Sequence, residues 1–388
     1  MSLISTVDMQ ARVLYLTINP NRISTTIPTE GWISKLAPRG LQPVLATSTA
    51  GDFSKWVKEH GHPCYTLGMT APAWSGPWAS YRAFLRLCRI VQRHRIQLIH
   101  CNEQNVYPIG AYVSRVMKKP IVVSVHFTMA RGFCTWAFGK RVPDRVIFTS
   151  EANLRNCLPG MEGVVESSRF EVINNGIDTH KNRPYEALRR VFREEHKLGD
   201  AVALGVACAL RPRKQIEHLI KAVGLVSADV RVFIAGAAVA GDEAYADELI
   251  AKSKDLLGSR VTFLGHQQDL RPLLNGLDLF VNTSQEEACS FSVLESLAHG
   301  CPVIGYPSKS VDCQILPDGG EITPQDDIPA LAECIQRWST DRNLRKQTSA
   351  NARQIATSKF DMLGNCEQVW KIYEDVLQSG ARASYPDR

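Results

Sequence analysis

The sequence predicts an α/β protein built from two doubly wound parallel sheets. Three observations lead there. Short apolar runs rich in β-branched residues alternate with stretches of helical periodicity from end to end. The alternation stops near residue 178 and restarts near residue 201. The length, 388 residues, admits two or three domains, and 44% hydrophobic with 22% charged residues is the balance of ordinary soluble cores. Alternating strands and helices imply parallel strands covered on both faces.

In the first series, 12–18 reads as a strand and 29–36 as a helix ending at Arg39-Gly40. A strand at 43–47 precedes a helix at 53–60 that Gly61 ends. The longer helix 81–93, the strand 98–101 and the helix 109–117 follow, the last stopped by Pro120. Strands 121–126 and 145–149, a helix from Glu151, and a strand 170–173 running into the turn Asn174-Asn175-Gly176 complete the series.

The charged, proline-containing stretch 178–199 reads as the boundary. The second series holds strands at 201–207, 231–235, 261–264, 279–282 and 302–305. Helices at 215–226, 242–257, 270–275 and 291–299 lie between them, and 328–339, 344–360 and 362–378 close the chain. Ligands of open α/β sheets bind outside the carboxyl ends of the strands. The cleft between two such domains is therefore the expected site.

Charge is unevenly placed. The net +6 divides into +9 over residues 1–180 and −3 over 181–388. Arg82, Arg86, Arg89 and Arg93 share one helix face. Trp74, Trp78 and the aromatic, basic stretch 132–141 lie near them in sequence. This is a solvated helix face or a surface for an anionic acceptor or membrane headgroups. The eleven cysteines are irregularly spaced, with no C-x-x-C and no zinc spacing, and most read as small buried apolar residues in a reducing compartment. Residues 1–11 carry no signal-peptide pattern. The longest apolar run, 201–210, is half a membrane span. The expected location is the cytoplasm, with peripheral membrane contact through the basic N-terminal half.

The most informative segment is 284–304, S-Q-E-E-A-C-S-F-S-V-L-E-S-L-A-H-G-C-P-V-I. A strand ends, a polar loop carries Glu286 and Glu287, and a helix starts near Ser292. N–H groups at a helix start suit an anion such as a diphosphate. Eight residues of helix between Glu287 and Glu295 rise about 12 Å, too far for a glycosidase acid/base pair. Two separate contacts to one hydroxyl-bearing ligand fit better. Ser292 and Glu295 also read as a capping box, the structural alternative for Glu295.

The E-(seven residues)-E pattern followed by Ala298-His-Gly-Cys-Pro-Val303 resembles the retaining group 1 glycosyltransferases of the GT-B fold. D-R-V-I-F-T-S-E-A at 144–152 and V-I-N-N-G-I-D at 172–178 resemble further family segments. So do L-R-P-R-K-Q at 210–215 and R-V-T-F-L-G-H at 260–266, in the family's order. The resemblance implies a GT-B fold of two Rossmann-like domains facing a cleft. The N-terminal domain, 1–180, would take the acceptor, and 181–361 the nucleotide-sugar donor. The segment 362–388 would cross back to the N-terminal domain.

The resemblance also implies roles. Glu295 would hold the ribose hydroxyls. Glu287 would hold donor-sugar hydroxyls, helped by Ala288, Cys289 and Ser290, with Phe291 and Ser292 at the helix start. Arg213 and Lys214 would hold the diphosphate. His126 would sit beside sugar and phosphate, and Gly236, His266 and Leu270 near the base. The implied reaction is sugar transfer to an acceptor hydroxyl with retention, by front-face attack, without cofactor or metal. The absence of D-x-D agrees with this. Partners would be a nucleotide-sugar donor and a glycan or lipid-linked acceptor.

Three departures from the family pattern stand out. Asn19–Pro28 replaces the glycine loop, with Ser24, Thr25 and Thr26 nearest the glycine positions. Ala209 stands where a basic residue is usual, with Arg211 or Arg213 as substitutes. Ala288 and Ser290 narrow the sugar pocket. Two other readings share the pattern: a GT-B-like phosphorylase or synthase, and a sugar-nucleotide-binding scaffold without turnover. A bilobal periplasmic binding protein is disfavoured by the missing signal peptide.

Overall fold

The structure, a computed structural model, describes residues 10–68, 77–139, 141–287 and 289–383. Trp74 lies outside the described residues, as does the side chain of Trp78. The chain forms two units, Met1–Gly176 with Met362–Arg388, and Ile177–Asp361.

The first unit is built on strands β1 (Ala11–Leu16), β2 (Leu41–Thr47), β3 (Cys64–Thr66), β4 (Leu98–Cys101), β5 (Ile121–Val125), β6 (Arg145–Phe148) and β7 (Phe170–Val172). Their order is β3-β2-β1-β4-β5-β6-β7, all parallel. One face carries α1 (Ile27–Leu36), α2 (Asp52–Glu59) and the terminal helix, Met362–Ala383. The other carries α3 (Pro77–Arg93), α4 (Tyr107–Met117), α5 (Arg131–Phe138) and α6 (Glu151–Met161). Inward-facing Leu14, Leu16, Val123 and Val125 alternate with Val13, Tyr15 and Val122, so both layers find an apolar sheet face.

The terminal helix is held by more than apolar packing. Trp32 Nε1 donates to Asn365 Oδ1 at 2.5 Å. Buried His100 is bonded through Nδ1 to the Tyr373 hydroxyl at 2.6 Å and through Nε2 to Ser124 Oγ at 2.9 Å.

The second unit holds α7 (Glu186–Glu195), β8 (Val202–Ala207), α8 (Ile216–Gly224), β9 (Val230–Ala235), α9 (Glu243–Leu257) and β10 (Val261–Gly265). Then come α10 (Arg271–Gly276), β11 (Leu279–Asn282), α11 (Phe291–Ala298), β12 (Val303–Gly305), α12 (Val311–Ile315) and β13 (Gly320–Ile322). Helices α13 (Ile328–Thr340) and α14 (Arg342–Lys359) end it, which makes the terminal helix α15. Strand order is β10-β9-β8-β11-β12-β13. Both sheets are parallel and doubly wound, as the alternation predicts.

Several expectations need correction. The stretch 178–199 is not all linker, because it contains α7. That helix is fastened by Phe192, buried in the apolar core of the second unit, and by guanidinium groups. Arg189 and Arg193 bond the two carboxylate oxygens of Asp278 at 2.6 and 3.0 Å, and Arg189 also donates to Leu277 O at 2.7 Å. The aromatic stretch at 132–141 contains helix α5. Edge strands β3 and β13 have three residues each, too short to show alternation. Helix α11 starts at Phe291, and neither Ser290 nor Ser292 forms the expected cap, so the capping box is not made.

Candidate functional site

In the second unit a tight turn and a loop are laced together at the carboxyl edge of the sheet. After β8 the chain makes a 3₁₀ turn over Pro212–Lys214, and Gln215 takes φ 47° before α8 begins. Arg213 O accepts Gln285 N–H at 2.9 Å, Arg213 Nη1 donates to Glu286 O at 3.2 Å, and Lys214 O accepts Thr283 Oγ1 at 2.9 Å. These bonds bring Lys214 Nζ onto the Glu287 carboxylate, with both side chains largely buried.

Glu287 is held in turn from β12's side. Its N–H donates to Ser308 O at 2.8 Å, and its carbonyl accepts Ser310 Oγ at 2.6 Å. Ser308 and Lys309 adopt φ of 47° and 63°, a left-handed pair that aims the turn at the loop. Gln314 fixes the next residues: its Oε1 accepts Ser290 N–H at 3.1 Å and its Nε2 donates to Ser290 O at 3.2 Å. The helix geometry leaves the N–H groups of Phe291, Ser292 and Val293 without intrahelical acceptors. Ala288 lies outside the described residues. Cys289 is buried, and its Sγ accepts Gln314 Nε2 at 3.4 Å.

Beside this cluster is a cavity of about 330 Å³ lined by Cys208, Ala209, Gly236, Ala237, His266 and Leu270, among others. Gly236 pinches it. Its φ is +148°, and a Cβ there would meet Cys208 O at 1.8 Å. Gly236 N–H donates to Gly265 O at 2.8 Å, which ties the ends of β9 and β10. The sequence-predicted Gly236, His266 and Leu270 thus converge on one cavity. Burial pushes the Cys208 thiol up to about 12, so it is neutral at physiological pH.

Glu295 sits on the second turn of α11. Burial pushes its carboxyl up to about 7, against the pull of Lys181 and with the help of Asp269. Its carbonyl accepts His299 Nδ1 at 2.8 Å, and the buried Nε2 of that ring has no hydrogen-bond partner among the described residues.

In the first unit, His126 follows β5 and is buried. Nε2 donates to Asn102 O at 2.8 Å, and its N–H donates to Gln104 Oε1 at 3.2 Å. Burial pushes the imidazole down to about 4, so it is neutral. Ser24 is exposed, whereas Thr25 and Thr26 are buried. Thr25 O accepts Asn102 Nδ2 at 2.8 Å, and Thr26 Oγ1 donates to Asn21 O at 2.7 Å. None of residues 24–26 takes a positive φ, so this loop has no conformational need for glycine.

Sequence reasoning missed Glu103, which anchors that loop. Its Oε1 accepts Thr17 Oγ1 at 2.5 Å and Asn19 Nδ2 at 3.1 Å, and its Oε2 accepts Ile18 N–H at 3.2 Å. Burial raises its pKa and these bonds oppose the rise. A signal was present: Glu103 is the only carboxylate between Glu59 and Asp144. Gln314 and the Ser308–Lys309 turn were also missed, and only their three-dimensional placement marks them.

Comparison with known proteins adds the family. Residues 32–181 match Glycosyltransferase Family 4, and residues 189–355 match Glycosyl transferases group 1. The chain is 22% identical to an alpha-D-kanosaminyltransferase of Streptomyces kanamyceticus over 71% of this chain and 76% of that protein. It is 21% identical to the Escherichia coli UDP-Gal:alpha-D-GlcNAc-diphosphoundecaprenol alpha-1,3-galactosyltransferase, over 76% of this chain and 80% of that protein. Its fold is similar to that of Anabaena HepE in complex with UDP, with a TM-score of 0.84 and 20% identity over 94% of this chain and 100% of that one. With a matching family in each unit and two doubly wound sheets in the corresponding order, the chain belongs to the group 1 glycosyltransferases of the GT-B fold.

Proposed function

We propose that the chain moves a sugar from a uridine diphosphate sugar to a hydroxyl of a glycan or lipid-linked acceptor in polysaccharide assembly, with retention of anomeric configuration and without a metal ion or cofactor. The second unit takes the donor and the first unit the acceptor. One observation carries this reading: Arg213, Lys214 and Glu287 are laced onto one sheet edge beside the Gly236-pinched cavity. The cavity suits a flat base, the two cations suit a diphosphate, and Glu287 and Glu295 suit sugar and ribose hydroxyls. The UDP seen with HepE and the UDP-Gal of the Escherichia coli relative support uridine as the base.

In the reaction, the anomeric C–O bond to the β-phosphate breaks and the acceptor oxygen bonds the same carbon from the same face. The acceptor proton passes to the departing phosphate oxygen. Arg213 and Lys214 stabilise the charge that grows on the diphosphate, which is where preorganised cations lower a barrier most. In the free protein Lys214 is neutralised by Glu287, so donor binding exchanges that partner for phosphate. Eleven unbridged thiols support a reducing, cytoplasmic setting.

Calorimetric titration with UDP, followed by an assay of UDP release from UDP-sugars, tests the reading. UDP is expected to bind, and Lys214→Ala to weaken binding about tenfold or more and to lower turnover about a hundredfold. Chelator is expected to leave turnover unchanged, and the product's anomeric proton to report retention. An inverted product, or full activity in Lys214→Ala, contradicts the mechanism.

A further inference from the structure

The loop that carries Glu287 is shaped by one stretch of chain, residues 308–314, which follows β12. At two positions of the loop that stretch takes up both backbone groups. Glu287 N–H donates to Ser308 O at 2.8 Å, and Glu287 O accepts Ser310 Oγ at 2.6 Å. Ser290 N–H donates to Gln314 Oε1 at 3.1 Å, and Ser290 O accepts Gln314 Nε2 at 3.2 Å. The Gln314 amide thus serves Ser290 as a neighbouring strand would. Its Nε2 also reaches Cys289 Sγ at 3.4 Å, so both of its polar atoms are committed to two consecutive residues.

The sequence around Gln314 explains its placement. Val311 and Ile315, one turn apart on α12, are fully buried in the apolar core that also takes Val293, Leu294 and Leu297 of α11. They fix the short helix beside α11. Gln314 is 2% exposed, which shields its bonds to Ser290 from water.

What Gln314 holds is a joint. Ser290 is the N-cap of α11, three residues after Glu287 and five before Glu295. Its carbonyl accepts Leu294 N–H at 3.1 Å, and no side chain caps the helix. The N–H groups of Phe291, Ser292 and Val293 therefore lead out of the helix start in a direction that Ser290 sets. Donors of this kind stabilise a diphosphate only when they are held in place beforehand. Ser308 grips the loop through its backbone and Ser310 through one hydroxyl. Gln314 makes both of its bonds to Ser290 with its side chain, so substitution can remove them together and leave the chain path intact.

We propose that Gln314 is a positioning residue for the donor. It touches no substrate and acts through Ser290, fixing the start of α11 relative to Glu287 and its partner Lys214. The proposal rests on the reading of the second unit as the UDP-sugar site, and its test separates the two.

The test is calorimetric titration of the full chain with UDP at pH 6 and pH 8.5. Gln314→Met keeps length and packing but removes both bonds to Ser290, and is expected to weaken UDP binding about tenfold. Gln336 supplies the comparison. Its Oε1 accepts Ser227 N–H at 2.9 Å and Ala228 N–H at 3.2 Å, a similar clamp on a loop outside the site. Gln336→Met is expected to lower the urea midpoint and to leave UDP binding at the wild-type level. Gln314→Glu adds a readout that packing alone would not move. Protonated, its carboxyl offers Ser290 the same acceptor and donor as the amide, and burial favours that form. Ionised, it has no donor for Ser290 O. Against wild type at the same pH, Gln314→Glu is expected to bind equally at pH 6 and about tenfold more weakly at pH 8.5. Circular dichroism confirms that it is folded at both, so this comparison decides the question even where Gln314→Met does not fold. Wild-type affinity in Gln314→Met, an equal loss in Gln336→Met, or a Gln314→Glu ratio that is the same at both pH values would overturn the proposal. Absence of UDP binding by the wild type would instead overturn the donor reading, and the proposal with it.

Discussion

Single residues decide whether the candidate site can exist. Gly236 has no room for a methyl group, because Cys208 O stands 1.8 Å from where the Cβ would be. Gly236→Ala is expected to cost about 2–4 kcal/mol in urea unfolding and to abolish UDP binding, since the strand ends must part. Glu295 offers a pH test. Its carboxyl, pushed up to about 7, is mostly protonated at pH 6 and mostly ionised at pH 8. A ribose hydroxyl donates best to the ionised form. Affinity for a UDP-sugar, whose diphosphate does not titrate in this window, should therefore rise up to about tenfold from pH 6 to pH 8. Glu295→Gln should flatten the profile. A wild-type profile that falls with pH would remove Glu295 from donor binding.

At the scale of elements, the loop after β1 shows how a departure from a family pattern can be accommodated. The chain from Thr17 to Thr29 is fastened by Glu103, by Asn102 and by the Thr26 hydroxyl, with ordinary right-handed or extended backbone at 24–26. Removing the carboxylate strands three donors. Glu103→Ala is expected to destabilise by about 2–4 kcal/mol, whereas Glu103→Gln keeps acceptor capacity on one oxygen and loses less. Hydrogen exchange at Ile18 and Asn19 should report the loosening directly. The 3₁₀ turn at Pro212–Lys214 is placed by the same logic: Pro212 and its own backbone bonds shape it, and three bonds to residues 283–286 fix its position.

Across the whole molecule, two buried neutral histidines tie stability to pH. His100 is pushed down to about 3 and His126 to about 4, both chiefly by burial. The unfolded chain protonates near 6.5, so it binds more protons than the folded state below that pH. The contribution is complete above about pH 6.5 and is lost as pH falls toward 4, at about 1.4 kcal/mol per unit for each histidine. Urea midpoints are therefore expected to drop between pH 7 and pH 5, and to drop less in His126→Gln. Glu295 acts in the opposite direction, because its raised pKa favours the folded state at low pH.

Much was legible in the sequence because it is local. Strand and helix alternation, the glycine ends of helices and the Glu287–Glu295 spacing lie within a few residues of one another. The halves' charges, +9 and −3, are likewise a property of the chain alone. The anchoring of helix α7 was not legible, since Arg193 reaches Asp278 across 85 residues of chain. The grip of Ser308 and Gln314 on the Glu287 loop and the burial that neutralises His126 were decided only by tertiary structure. Burial and desolvation depend on what packs from distant parts of the chain, and no spacing along a sequence encodes them.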